Sequence, residues 1–183
     1  PRVFRPPEVP YSIALSPDAQ TLAVGLRTGG VALLALASGQ WRATLRGQAD
    51  TESIYCVRFS PDGTVLAASG VDRVIRLWDP ATGTLLKALV GHRAEVVALA
   101  FSPDGRTLAS ASDEQTVRLW RVASGRELLV LESPSKIIDL AFSPDGMTLA
   151  AGTWVPGRAA VYLWRGKFPP TSAADEFKEQ GGP

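Results

Sequence analysis

The chain is poor in the residues that most often carry chemistry. It has one cysteine, Cys56, and one histidine, His92, among 183 residues. A single cysteine excludes an internal disulfide and a cysteine-based metal cluster, and it fits a reducing, cytoplasmic location. Within "SIYCVRF" (53–59) it reads as a small buried hydrophobe on a strand, not as a nucleophile. No charge sign dominates: 19 Lys and Arg stand against 18 Asp and Glu, for a net charge of +1. That balance argues against a dedicated nucleic-acid or membrane surface, since both need a basic patch above background. Long apolar runs are also absent. The longest, Val31 to Ala37, falls far short of the roughly 20 residues of a membrane helix. No signal-peptide pattern opens the chain, and Pro1 in first place is read as the start of a processed, trimmed or partial chain. Neither Gly-x-Gly-x-x-Gly nor Gly-x-x-x-x-Gly-Lys-Ser/Thr occurs, so no phosphate cradle is expected. No cofactor is implied.

What the chain does have is a repeat. Ser-Pro-Asp recurs at Ser16, Ser60, Ser102 and Ser143, at spacings of 44, 42 and 41. Ala-(Ser/Thr)-Gly recurs at Ala37, Ala81 and Ala123, and a strand-like run ends in Trp78, Trp120 and Trp164. Three independent markers sharing one period exclude coincidence. Within a unit the pattern predicts four short strands. In the third, "EVVALAF" (95–101) is apolar on both faces and suits burial on both sides. "SPDG" turns the chain, with Pro103 at the second turn position and Gly105 free to take a positive φ. "RTLASAS" (106–112) offers small residues that let a neighbouring sheet come close. "TVRLW" (116–120) alternates, with Val117 and Leu119 on one face and Arg118 and Trp120 on the other. "RELLVLE" (126–132) is charged enough to be an outer edge strand.

Four antiparallel strands repeated every 40-odd residues make an all-β chain of propeller blades. With Gly91-His92, Trp78-Asp79 and "FSPDG…LASAS…VRLW" in place, the chain resembles the WD-repeat β-propeller family, in the regular form typical of bacterial repeats. The resemblance covers about residues 10–165, as four repeats near 11–46, 54–89, 96–131 and 137–165. The repeats are unequal. The first has Leu34 in the Trp place and Thr28 in the Asp place; the second has Gln48 for His but keeps Asp72 and Trp78; the fourth has Ser133 for His and extra residues at 154–157. Residues 1–10 hold a possible closing strand, "RVFRP" (2–6), and 166–183 read as a linker or disordered tail. Three assemblies fit: a segment of a longer propeller, half of a ring completed by a homodimer, or a small four-blade ring.

The resemblance also implies roles for residues. His92, Ser112, Glu114 and Trp120 form a buried structural hydrogen-bond network in the third repeat, and Asp72 with Trp78 holds the second. A catalytic reading of His92, Ser112 and Glu114 fails for want of Gly-x-Ser-x-Gly. Glu8, Asp50, Glu52, Glu95 and Asp139 lie near the inner-strand starts, but at uneven offsets, which suits a solvated rim better than a Ca²⁺ site. Trp41 is expected to pack on its neighbouring strand. Trp154, on an inserted hairpin beside Arg158, has the look of an interface anchor. Arg73, Arg93, Asp113 and Lys136 are expected on the same face. The function implied is a non-catalytic platform for protein or peptide partners, within a larger regulatory or signalling protein. The rival readings are a metal-dependent propeller hydrolase and a half-propeller that only self-assembles.

Overall fold

The computed structural model describes residues 3–47, 52–154 and 159–166. Fifteen strands account for its regular structure, and no helix occurs among the described residues. They form four antiparallel sheets in chain order. The first holds β1 (Pro10–Leu15), β2 (Thr21–Leu26), β3 (Val31–Ala35) and β4 (Gln40–Leu45). The second holds β5 (Ile54–Phe59), β6 (Leu66–Gly70), β7 (Ile75–Trp78) and β8 (Leu85–Leu89). The third holds β9 (Val96–Phe101), β10 (Thr107–Ser112), β11 (Thr116–Arg121) and β12 (Glu127–Glu132). The fourth has three strands: β13 (Ile137–Phe142), β14 (Thr148–Thr153) and β15 (Ala160–Arg165).

Each Ser-Pro-Asp marker is a hydrogen-bonded turn joining the first two strands of a sheet. In the third sheet the Ser102 hydroxyl donates to Asp104 Oδ1 at 2.6 Å, Arg106 N–H donates to the same oxygen at 3.0 Å, and Thr107 N–H donates to Ser102 Oγ at 3.0 Å. The other three turns repeat these bonds. The motif recurs because it satisfies the turn's own backbone. The bonds also hold the Asp18, Asp62 and Asp145 carboxyls below the usual carboxylate range, led in each case by the serine hydroxyl. The residue after Asp has positive φ: Gly63 (74°), Gly105 (71°) and Gly146 (70°), but Ala19 (55°) in the first sheet. A left-handed conformation costs any residue with a Cβ.

The sheets stack like blades, inner strand against inner strand: β1 on β5, β5 on β9, and β9 on β13. Every sheet has two unlike sides. Toward the preceding sheet the third presents Leu99, Leu108 and Trp120, packed on Cys56, Ala67, Ile75 and Leu77 of the second. Toward the following sheet it presents Ala98, Ala109, Ala111, Val117 and Leu119, packed on Leu140, Leu149 and Ala151 of the fourth. The small alanines let the sheets approach, and each fully buried Leu or Val contributes about 1.5–3 kcal/mol. Burial also pushes the Cys56 thiol pKa up, as expected for an inert packing cysteine.

The arc is open. Ile13 of β1 is 62% exposed at one end and Ile138 of β13 is 53% exposed at the other. This is a partial propeller of four blades, not a closed four-blade ring. Residues 3–9 form no strand and so do not complete the fourth sheet. Instead the Phe4 ring rests against Gly39, Glu8 approaches Arg46 at 3.8 Å, and Arg27 N–H donates to Val9 O at 3.0 Å. These anchors hold the segment along the first sheet, whose Val24, Leu26 and Leu34 are at most 3% exposed. Residues 167–183, expected to be a linker, lie outside the described residues.

Candidate partner-binding edge and the network beneath it

Because strands alternate in direction, two sets of connections share one end of the arc. They are the hairpins between the second and third strands of each sheet, and the links from one sheet to the next. The structure ties them into a string. Arg73 Nη1, on the β6–β7 hairpin, donates to Arg93 O at 3.3 Å. Arg93 N–H donates to Glu114 Oε2, on the β10–β11 hairpin, at 3.0 Å. The neighbouring Asp113 accepts from Lys136 Nζ at 2.6 Å, and Lys136 O accepts from Trp154 N–H at 3.0 Å. Five of the six residues expected on one face therefore form a continuous edge over three sheets; the sixth, Arg158, lies outside the described residues. Arg73, Arg93 and Lys136 are exposed, and Trp154 is 59% exposed. Two tyrosines at the inner rim belong to the same end and were not singled out from the sequence. Tyr11 meets Tyr55 edge-on at 5.6 Å, and Tyr55 has its pKa raised by burial and by its hydrogen bond to Glu95. Their signal was only their place, at the starts of inner strands.

Beneath this edge lies the buried network of the third sheet. Trp120 Nε1–H donates to Ser110 Oγ at 2.8 Å, and His92 Nε2 meets the same oxygen at 2.7 Å. His92 Nδ1 meets Glu114 Oε1 at 2.7 Å, and Thr116 Oγ1 donates to that oxygen at 2.8 Å. The serine in the network is Ser110, not Ser112. In β10 they are two residues apart and fully buried, but Ser110 lies opposite Arg118, next to Trp120, and Ser112 lies opposite Thr116 at the hairpin. Ser112 Oγ accepts only a long bond of 3.4 Å, from Glu114 N–H. Neutral His92 with its proton on Nδ1 satisfies every member: indole to hydroxyl, hydroxyl to Nε2, Nδ1–H to carboxylate. Burial, the largest influence, pulls the His92 pKa below its ordinary 6.5, against the opposing pull of Glu114. Burial by itself raises the Glu114 pKa, but hydrogen bonds from His92, Thr116 and the Arg93 backbone outweigh it and bring it to about 2. Gly91 precedes His92 because a Cβ there would stand 2.9 Å from the Trp120 ring.

Ser110, His92 and Glu114 have the order of an acyl-transfer triad. They lack the access, because Ser110 is fully buried and its oxygen already receives the Trp120 indole. Among the described residues the second sheet shows no such chain. Ala68 stands in the Ser110 place, Asp72 accepts from Arg76 Nη1 and from Val74 N–H, and Trp78 packs against the first sheet; Gln48 lies outside the described residues. The acids of the inner rim disperse. Glu8 approaches Arg46, Glu95 serves Tyr55, Asp139 faces Arg58 at 3.8 Å, Glu52 is exposed, and Asp50 is outside the described residues. Among the described residues no three His, Cys, Asp or Glu gather as metal ligands. Trp41 packs with Leu22, Val24, Leu26 and Ala32.

Comparison with known proteins agrees with this architecture. Residues 39–79, 83–121 and 125–158 match the WD40 model, described as WD domain, G-beta repeat. An uncharacterised WD repeat-containing protein of Synechocystis is 38% identical over 42% of the chain and 22% of its own length. Human WD repeat domain-containing protein 83 is 40% identical over 26% of the chain, and rat Coronin-7 is 45% identical over 27%. The matched parts span 15% and 6% of those two proteins, so the chain corresponds to a small part of each relative. With matched repeats over more than half its length, each running from the last strand of one sheet into the next sheet, the chain belongs to the WD40 repeat family.

Proposed function

We propose that the hairpin end of the arc binds a protein or peptide partner, and that the chain works as a non-catalytic scaffold within a larger regulatory protein. WD repeat domains generally mediate protein–protein interactions. The observation that carries the reading here is the hydrogen-bonded string from Arg73 through Arg93, Glu114, Asp113 and Lys136 to Trp154, which holds the backbone of Arg93 and Trp154 in place and leaves both side chains exposed along one edge. An edge fixed before binding loses little entropy when a partner lands across several blades. Tryptophan and arginine are the side chains most often found at interface hot spots. The guanidinium groups favour a partner with carboxylates flanking an apolar anchor.

The test is selection of peptides from a random displayed library against the chain. Selected sequences should be acidic with a hydrophobic residue, and Trp154→Ala or Arg93→Ala should weaken them at least tenfold while the circular dichroism spectrum stays unchanged. Peptides bound equally by all variants would place binding elsewhere.

A further inference from the structure

Two of the links that carry the chain from sheet to sheet at the hairpin end are held in different ways. Residues 133–136 join the third sheet to the fourth. Ser133 stands in the His92 place and is buried; its N–H donates to Gln115 O at 2.8 Å and its hydroxyl donates to Ser135 O at 2.9 Å. Neither group titrates. Residues 90–95 join the second sheet to the third. The hydrogen bonds that tie residues 91–93 to the third sheet all end on Ser110 or Glu114. His92 Nε2 meets Ser110 Oγ, His92 Nδ1 meets Glu114 Oε1, and Arg93 N–H donates to Glu114 Oε2. Arg93 O in turn accepts from Arg73 Nη1. The imidazole thus holds this link, and the same carboxylate that receives it also receives the backbone of Arg93.

The ring can take a second proton only at the network's expense. In the neutral state Ser110 donates its hydroxyl proton to Nε2 while its oxygen receives the Trp120 indole. A proton on Nε2 turns that hydroxyl toward Arg118 O, where the bond is a long 3.4 Å. The charged groups around the ring are Glu114 of the β10–β11 hairpin, Arg118 of β11 and Glu127 of β12, with Arg73 and Arg93 on the edge above. Arg118 already binds both acids, at 3.4 and 2.5 Å. Burial opposes the imidazolium, so a ring released into water takes up the proton more readily than the ring in place.

We propose that residues 90–94 form a proton-operated latch: neutral His92 holds the link in the partner-binding position, and a proton on His92 releases it together with Arg93. With the hairpin end as the partner site, on which this regulation rests, acid lowers affinity by withdrawing Arg93 from the edge. The released fraction grows by up to about tenfold from pH 7.5 to 5.5, the range in which a histidine of ordinary pKa 6.5 becomes charged. Glu114 stays ionised throughout, since even its ordinary value is 4.5.

The experiment is amide hydrogen exchange followed by NMR on the whole chain between pH 7.5 and 5.5, with each rate divided by that of an unstructured amide. The Arg93 amide should open more often than Leu119 of β11 at every pH, since a latch opens locally, and its opening should rise up to about tenfold toward acid. Ser133, in the link held by serine, should open locally without that rise. His92→Gln should remove the rise at Arg93, with Leu119 protection showing that the sheet is folded. If that variant does not fold, the contrast of Arg93 with Ser133 and Leu119 in the wild type decides. An Arg93 amide as protected as Leu119, or one indifferent to pH, would overturn the latch. Peptides selected on the edge at pH 7.5 should bind the wild type severalfold more weakly at pH 5.5, and His92→Gln should abolish the loss. Peptides that need Arg93 yet bind equally at both pH values would overturn the regulation. If the Arg93 amide responds to acid but selected peptides ignore Arg93→Ala, the latch stands and the partner site lies elsewhere.

Discussion

Where the third sheet places Ser110, the first places Val24; where the third places Trp120, the first places Leu34. The register is the same, since Leu22 lies opposite Leu34 as Leu108 lies opposite Trp120. Val24, Leu34 and Trp120 are all at most 3% exposed. One sheet fills this layer with a satisfied polar network, the other with hydrocarbon alone. Both hold, because strand pairing and burial make the sheet, and the network settles only which side chains may occupy the layer. A buried polar chain is costly when one member is lost, whereas an apolar layer loses only packing.

The comparison can be broken most severely at its largest side chain. Trp120→Ala empties a fully buried site and should cost about 3–5 kcal/mol in urea unfolding. Trp164→Ala, half-buried on a three-stranded sheet, should cost clearly less. Exchanging the chemistries comes next. Ser110→Val leaves the Trp120 indole and His92 Nε2 without their partner, and Val24→Ser places a hydroxyl among Leu22, Leu26 and Ala32. Each should lose about 1–3 kcal/mol. Ser112→Ala should lose less than Ser110→Ala, and the reverse order would overturn the assignment of the network.

Acid provides a further separation of the two sheets. The folded His92 pKa lies below 6.5, so the unfolded chain takes up the proton first. Stability is full above that value and falls as the pH drops below it. Glu114 adds a second loss in the same direction, from its ordinary 4.5 down toward about 2. Melting temperatures at pH 7.5 and 5.5 should differ, and His92→Gln should shrink the difference. An unchanged difference would assign the acid sensitivity elsewhere. Ala19→Gly relieves the left-handed alanine at 55° in the first turn and should stabilise by about 1 kcal/mol, bringing that turn level with the other three. The smallest effect belongs to the edge. Lys136→Ala removes an exposed ion pair to Asp113 and should change stability by less than about 1 kcal/mol.

Much of this was legible because the physics is local. The Ser-Pro-Asp turn is closed by its own hydroxyl and carboxylate, so four copies of it mark four turns without reference to any neighbour. Val117 and Leu119 against Arg118 and Trp120 follow from strand alternation alone. The network serine was missed because Ser110 and Ser112 point to the same side of one strand, and only the Trp120 indole chooses between them. The path of residues 3–9 was missed because an extended segment with two prolines carries no register of its own.

The sequence by itself determined the repeat, the strand order and the two unlike sides of each sheet, since these rest on turn chemistry and a period of two. Tertiary structure decided which serine carries the network, which residues join along the hairpin edge, and that Ile13 and Ile138 stand exposed on the first and last of the described sheets. Those outcomes depend on distances between separate sheets, and sequence spacing within a sheet does not fix them.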